Sequence, residues 1–310
     1  MVIERREAIL EELITVKDWV RWGATRFTQE QVFFGHGTDN AWDEALQLLM
    51  HVTSLPWDLV STILDTRLTH DERKQALNFI QDRIDTRKPA AYLTGTGWFC
   101  GLPFTVNEHV LVPRSPIAEL IDQQFEPWLR LPPERILDLC TGSGCIGIAC
   151  AYAFPEAWID LSDISAEALD VAWQNIHQHE LDGRVQAIES DLFEHLKNQR
   201  YDLIVTNPPY VDAEDIADMP EEFHWEPQIA LASGHDGLDF TRRLLKEAHD
   251  HLTEEGLLVC EVGNSWPALE ALLPEVPFIW PEFSRGGHGV FILSRHQLQQ
   301  CYDHLSAEFN

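Results

Sequence analysis

Up to about residue 90 the apolar positions recur at helical spacing. Ile9, Leu13, Val16 and Val20 share one face of a segment running from Glu4 to Trp22, which predicts a first helix. A second is expected to run through Met50, opened by a cap at Asp39 or Asn40. The third is the most sharply bounded. Thr69-His70-Asp71-Glu72 reads as a capping box, Ala76, Ile80 and Ile84 follow on one face, and Pro89 marks the stop.

From Trp98 to Pro113 the pattern changes to short apolar stretches, 98–100, 104–106 and 110–112, separated by Gly101-Leu102-Pro103 and Asn107-Glu108. This predicts a β-hairpin linker. Arg114-Ser115-Pro116 then leads into a helix carrying Ile117, Leu120 and Ile121. From Arg135 onward strand-like and helix-like segments alternate, as a parallel sheet with covering helices requires. The expected strands are Arg135 to Cys140, Trp158 to Ile164, Val185 to Ser190, Tyr201 to Thr206 and Gly256 to Val262. The last part, Phe278 to Phe283 and Gly289 to Leu293 around Ser284-Arg285-Gly286-Gly287-His288, reads as an antiparallel hairpin. A parallel sheet ending that way is the outline of Rossmann-like methyltransferases, whereas a dinucleotide-binding half would continue in parallel. The expected organisation is therefore a helical domain over 1–95, a hairpin linker over 96–116 and an α/β catalytic domain over 117–310.

With 310 residues, 45% apolar and 24% charged, the chain can bury a substantial core. The opening residues mix charge into every turn, unlike a signal peptide, and no segment approaches the ~18 apolar residues of a membrane span. A cytoplasmic location is expected, with no membrane contact. The six cysteines form no Cys-x-x-Cys pair and several lie in apolar runs, so they are expected to be reduced core residues without a metal. A formal net charge of -29, from 51 acidic against 22 basic residues, opposes direct binding of DNA or other naked nucleic acid. It suits a basic protein partner, and equally a merely soluble surface.

Asp138-Leu139-Cys140-Thr141-Gly142-Ser143-Gly144-Cys145-Ile146-Gly147 places a glycine turn between a strand and a helix, where backbone can approach a ligand closely. Thr141, Gly142, Ser143 and Gly144 are the expected cofactor contacts. Asp163 ends the next strand, twenty-one positions after Gly142, and a carboxylate there suits both ribose hydroxyls of an adenine nucleoside. NAD and S-adenosylmethionine both carry that ribose. Asp138 shifts the balance, because acid beside the glycine turn repels a pyrophosphate but suits the ammonium of a methionine moiety. Asp191, with Leu192, is placed for the adenine edge, although Asp191 is equally readable as a helix cap.

Tyr201 to Thr206 is an apolar strand cut off by Asn207-Pro208-Pro209-Tyr210. Ligands of open α/β sheets bind beyond the carboxyl ends of strands, so Asn207 should face the cofactor. Two prolines fix φ and lack N–H groups, which holds Asn207 and the Pro208 carbonyl rigidly. A primary amide nitrogen has a delocalised lone pair. Two acceptors, the Asn207 side-chain oxygen and the Pro208 carbonyl, can bind its two hydrogens and aim it at a methyl group. Pro209 and Tyr210 complete the expected substrate site, Tyr210 as an aromatic wall. An exocyclic amino group of adenine could use the same acceptors.

These motifs, with the helical N-terminal part and the hairpin linker, resemble the HemK-like protein-(glutamine-N(5)) methyltransferase family over nearly the whole chain. Release-factor enzymes of that family usually carry an Arg-Pro step followed by Thr-Glu, and often Glu-Phe-Tyr-Gly in the hairpin. Here Val112-Pro113-Arg114-Ser115-Pro116-Ile117 and Gly97-Trp98-Phe99-Cys100-Gly101 stand instead and, with Phe34-Gly35-His36-Gly37-Thr38-Asp39-Asn40 and Pro89-Ala90-Ala91-Tyr92-Leu93-Thr94, look like the branch that modifies ribosomal protein L-three. The resemblance implies S-adenosyl-L-methionine as cofactor, a glutamine amide held by Asn207 and Pro208, and ribosomal protein L-three or a ribosome assembly intermediate as partner. Trp225-Glu226-Pro227 resembles the family's stretch near the substrate entrance, and Glu261-Val262-Gly263 is expected to shape the cofactor pocket. Release-factor methylation, adenine-N6 methylation, an NAD-dependent oxidoreductase and a noncatalytic assembly factor remain the competing readings.

Overall fold

The computed structural model describes residues 2–302. Two compact units divide the chain: one comprises the residues up to Thr96 with Pro220–Trp225, the other Gly97–Met219 with the residues from Glu226 onward.

The first unit is helical, with helices at Val2–Glu12, Val16–Gln29, Ala41–Thr53 and His70–Thr86. Glu4 to Trp22 is not one helix. Asp18 accepts from the backbone N–H groups of Ile14 and Thr15, and Thr15 Oγ1 accepts from Asp18 N, so a capping box restarts the helix. Those bonds hold the Asp18 carboxyl below its ordinary pKa. The helices at Ala41 and His70 begin at Asn40 and Thr69, as their caps predict.

Trp19, Val20, Phe27, Leu48, Leu49 and Ile80 form the dry core of this unit. Beside them lies a fully buried arginine. Arg83 Nε donates to Glu44 at 2.6 Å, Nη2 to the Phe33 carbonyl at 2.8 Å and Nη1 to the Arg87 carbonyl at 3.1 Å. Glu222, also buried, sits 3.5 Å from Arg83 Nη1 and accepts from Phe33 N. Thr38 donates to the second oxygen of Glu44, so one guanidinium organises the loop from Phe33 to Thr38.

The linker strands are β1 (Thr96–Phe99) and β2 (Leu102–Thr105), a two-stranded sheet. Residues 110–112 are irregular. Asn175, fully buried on the helix Ala166–Gln178, accepts from Thr105 N and donates to Thr105 O, like a ladder partner. Its amide also donates to Ser143 O at 2.8 Å, tying this hairpin to the glycine turn.

Six further strands form the main sheet: β3 (Arg135–Leu139), β4 (Trp158–Asp163), β5 (Val185–Glu189), β6 (Tyr201–Thr206), β7 (Leu252–Glu261) and β8 (Val290–Ser294). Their spatial order is β5-β4-β3-β6-β7-β8, all parallel except β8. The chain leaves β3 toward β4 and returns to place β6 on β3's other side. The crevice of a doubly wound sheet opens at that switch, between the carboxyl ends of β3 and β6.

The closing hairpin is less regular than the sequence pattern predicts. Residues 278–283 make a single bridge, Ile279 to Ile292, because Pro277 just before the stretch and Pro281 within it offer no N–H to a ladder. Phe278 and Trp280 still pack their rings on Phe291, so the apolar pattern reflects burial without strand pairing. Among the described residues no helix is long and apolar enough to cross a membrane.

Candidate active site

A cavity of about 330 Å³ lies at the switch point, entirely within the second unit. Its floor is the turn after β3, where Cys140, Gly142 and Gly144 all take positive φ. The helix Cys145–Ala153 then lies close against β4. A Cβ at Gly147 would stand 2.2 Å from Leu161 Cδ2, so only glycine permits that approach.

Thr141, Gly142 and Ser143 line the cavity, while Gly144 caps the helix behind it. Asp138 does not line it. Its Oδ2 accepts from Thr141 Oγ1 at 2.6 Å and from Gly147 N at 2.8 Å, and the residue is fully buried. The carboxyl stands behind the loop, with Oδ1 buried and without a hydrogen-bond partner among the described residues. Burial pushes it up to about 7 against the pull of those two hydrogen bonds.

Asp163 reaches the cavity from the end of β4, accepting from Gly142 N at 2.9 Å and Ser165 N at 3.0 Å. Burial raises its pKa while these N–H groups oppose the rise. Asp191 and Leu192 also line the cavity, but Asp191 is paired with Arg243 at 2.8 Å. The adenine edge assigned to Asp191 by the sequence therefore has a competitor.

Asn207 leaves β6 on the opposite wall, with Pro209 beside it. The Asn207 Nδ2 group points to the Arg114 carbonyl at 3.5 Å. Its Oδ1 is buried and has no hydrogen-bond partner among the described residues. Pro208 and Tyr210 lie outside the lining. Tyr210 braces the turn: its hydroxyl donates to Glu261 at 2.9 Å and its carbonyl accepts from Ser265 Oγ.

A third wall was invisible in the periodicity. His109 to Ser115 line the cavity, and Arg114 is clamped by Glu226, with Nη1 and Nη2 donating at 2.6 and 2.7 Å. Glu226 is buried and also accepts from Val112 N at 3.1 Å. No local pattern connects residues 112 positions apart. Glu226 and Glu261 are bonded to Arg114 and Ser115, which line the cavity, and neither is itself in the lining.

Residues 121–234 match the family model described as the methyltransferase small domain. The ribosomal protein uL3 glutamine methyltransferase of Francisella tularensis subsp. tularensis is 44% identical over 308 residues, covering 99% of this chain and 98% of the relative. The chain belongs to that family. The uL3 glutamine methyltransferase of Neisseria gonorrhoeae is 47% identical over 290 residues, 93% of this chain and 97% of the relative. Among solved structures, the human METTL16 catalytic domain bound to an RNA hairpin shares the fold, with TM-score 0.52, 16% identity and coverage of 80% of this chain and 91% of that one.

At the end of β4 the carboxylate of Asp163 faces the cavity, where the sequence expectation puts a ribose diol. It also supports the glycine turn through Gly142 N. Hydrogen bonds to charged groups contribute about 1.5–3 kcal/mol, so Asp163→Ala is expected to weaken S-adenosylhomocysteine about tenfold to a hundredfold. Titration calorimetry reads this directly, and unchanged affinity would remove Asp163 from the cofactor site.

Proposed function

We propose that this chain transfers the methyl group of S-adenosylmethionine to the side-chain amide nitrogen of a glutamine in ribosomal protein uL3. One observation carries the reading: the Asn207 side-chain oxygen is buried at the cavity wall without a partner, while its nitrogen is turned toward Arg114 O. A buried acceptor left open is costly unless a ligand donor completes it. A primary amide brings two N–H donors, one for Asn207 Oδ1 and a second for the Pro208 carbonyl, the acceptor that the family resemblance implies and that the amide would meet beyond the cavity lining.

The donor set fits the cofactor. Asp163 and Asp191 at the cavity suit an adenine nucleoside bearing a cationic sulfonium and ammonium, and Asp138 lies buried behind the turn. Arg243, the arginine at the Asp191 side, is already paired, which disfavours the pyrophosphate of NAD. The bound cofactor supplies an electrophilic methyl group on positive sulfur. Asn207 and Pro208 would orient the amide nitrogen and stabilise the positive charge that develops on it as the methyl–sulfur bond breaks; one N–H proton then leaves to solvent, giving the neutral N-methyl amide and S-adenosylhomocysteine. Asp138, Thr141 and Gly147 hold the turn that faces the methionine end.

The net charge of -29 suits a basic ribosomal protein, met before or during assembly of its subunit, free or in an assembly intermediate. It opposes the adenine-N6 reading, which the same acceptors would otherwise serve. Tandem mass spectrometry of uL3 after reaction with the chain and cofactor should place one added methyl on a glutamine side chain. A methyl on lysine, arginine or nucleic acid would replace this reading.

A further inference from the structure

Glu261 stands at the end of β7, fully enclosed behind the Asn-Pro-Pro-Tyr turn and outside the cavity lining. Each of its oxygens is taken by a different hydroxyl. Ser115 Oγ donates to Oε2 at 2.5 Å and Tyr210 donates to Oε1 at 2.9 Å. Ser115 follows Arg114, whose carbonyl takes the Asn207 amide nitrogen; Tyr210 ends the turn that begins at Asn207. One carboxylate thus ties the two chain segments that determine how Asn207 presents its oxygen. The packing behind Tyr210 is unforgiving, since a Cβ on Gly263 would lie 2.4 Å from the Tyr210 ring.

We infer that Glu261 is a positioning residue for methyl transfer, holding Tyr210 and Ser115 together so that Asn207 Oδ1 stays aimed at the substrate amide. The inference rests on the methyl-transfer reading above.

Two hydroxyls donate strongly to a carboxylate, one to each oxygen; in the carboxylic acid the protonated oxygen becomes a donor and a poor acceptor. Protonation therefore weakens or reverses the bond at that oxygen, loosening the tie to Ser115 or Tyr210. Burial raises the Glu261 carboxyl to about 7, opposed by the Ser115 and Tyr210 bonds and by the Arg114 charge. Arg114 is itself neutralised by Glu226, and the Cys260 thiol on the same strand is pushed well up by burial. The sign for stability is opposite to the sign for activity. A carboxyl raised above its unfolded value holds its proton better in the folded chain, so Glu261 contributes more stability below that window than above it. Loss of turnover on acidification through it is then not explained by Glu261-linked unfolding.

The test is kcat and KM for uL3 at saturating cofactor between about pH 5.5 and 9, with S-adenosylhomocysteine affinity measured in parallel. The wild-type chain should lose kcat as pH falls through about 7. Glu261→Gln, which imitates the protonated acid, should have kcat about tenfold lower at alkaline pH, with that limb flattened and cofactor affinity within about threefold. Tyr210→Phe removes a bond that lowers the Glu261 pKa, so its remaining activity should show the limb displaced to higher pH. Wild-type kcat and profile in Glu261→Gln would overturn the inference, as would parallel loss of kcat and cofactor affinity. If Glu261→Gln does not fold, an undisplaced limb in Tyr210→Phe overturns it alone. Failure of the wild-type chain to methylate uL3 at any pH would instead sink the methyl-transfer reading.

Discussion

Replacing Asn207 by alanine should reduce turnover of uL3 methylation about a hundredfold to a thousandfold, the usual effect of deleting a preorganised group that stabilises transition-state charge. The amide nitrogen is a poor nucleophile, and charge builds on its hydrogens only as the new bond forms. An acceptor already desolvated at the wall contributes most at that moment. S-adenosylhomocysteine should still bind within about tenfold of the wild-type affinity, because the glycine turn and Asp163 remain. Asn207→Asp retains the oxygen but places a charge next to the Arg114 carbonyl, so it should not restore turnover. Steady-state kinetics with calorimetric binding separates the two terms. A variant with undiminished kcat would remove Asn207 from the chemistry.

Arg83→Met should destabilise the helical unit by about 3–5 kcal/mol, the range for removing one partner of a buried ion pair. The fully buried guanidinium serves Glu44, two carbonyls and Glu222; methionine leaves Glu44 without its ion-pair partner and Glu222 with only Arg87, 3.7 Å away. Arg83→Lys should rescue only part of the loss, since an ammonium cannot reproduce the planar fork that reaches these acceptors. Amide hydrogen exchange in Ala41–Thr53 and His70–Thr86 reports this unit separately from the sheet. Protection unchanged in Arg83→Met would show that the cluster contributes no net stability.

How much of this was legible in the sequence depends on the range of the interaction. The glycine turn, Asp163 and the Asn-Pro-Pro-Tyr turn are local: each is a strand end followed by residues that force a particular backbone, and all lie at the switch point. Helix caps at Asn40 and Thr69 are local in the same sense. Asp138 illustrates where that logic stops. Its place before the turn was evident, but its orientation toward Gly147 N depends on how closely the helix packs on Leu161. The sequence gives Tyr210 only the part of an aromatic wall, because nothing local shows Glu261, 51 positions away, as the acceptor of its hydroxyl. Arg114 and Glu226 are separated still further, and such pairs leave no periodic trace. At 278–283 the apolar residues do pack, yet Pro277 before the stretch and Pro281 within it remove donors a strand needs.

The central claim concerns which amide takes the methyl group. Incubating the chain with methyl-labelled S-adenosylmethionine and, side by side, unmethylated uL3 and unmethylated release factor tests it most directly. Label should appear on uL3, disappear when Asn207 is alanine, and be absent or far weaker on release factor; label confined to release factor would contradict the account.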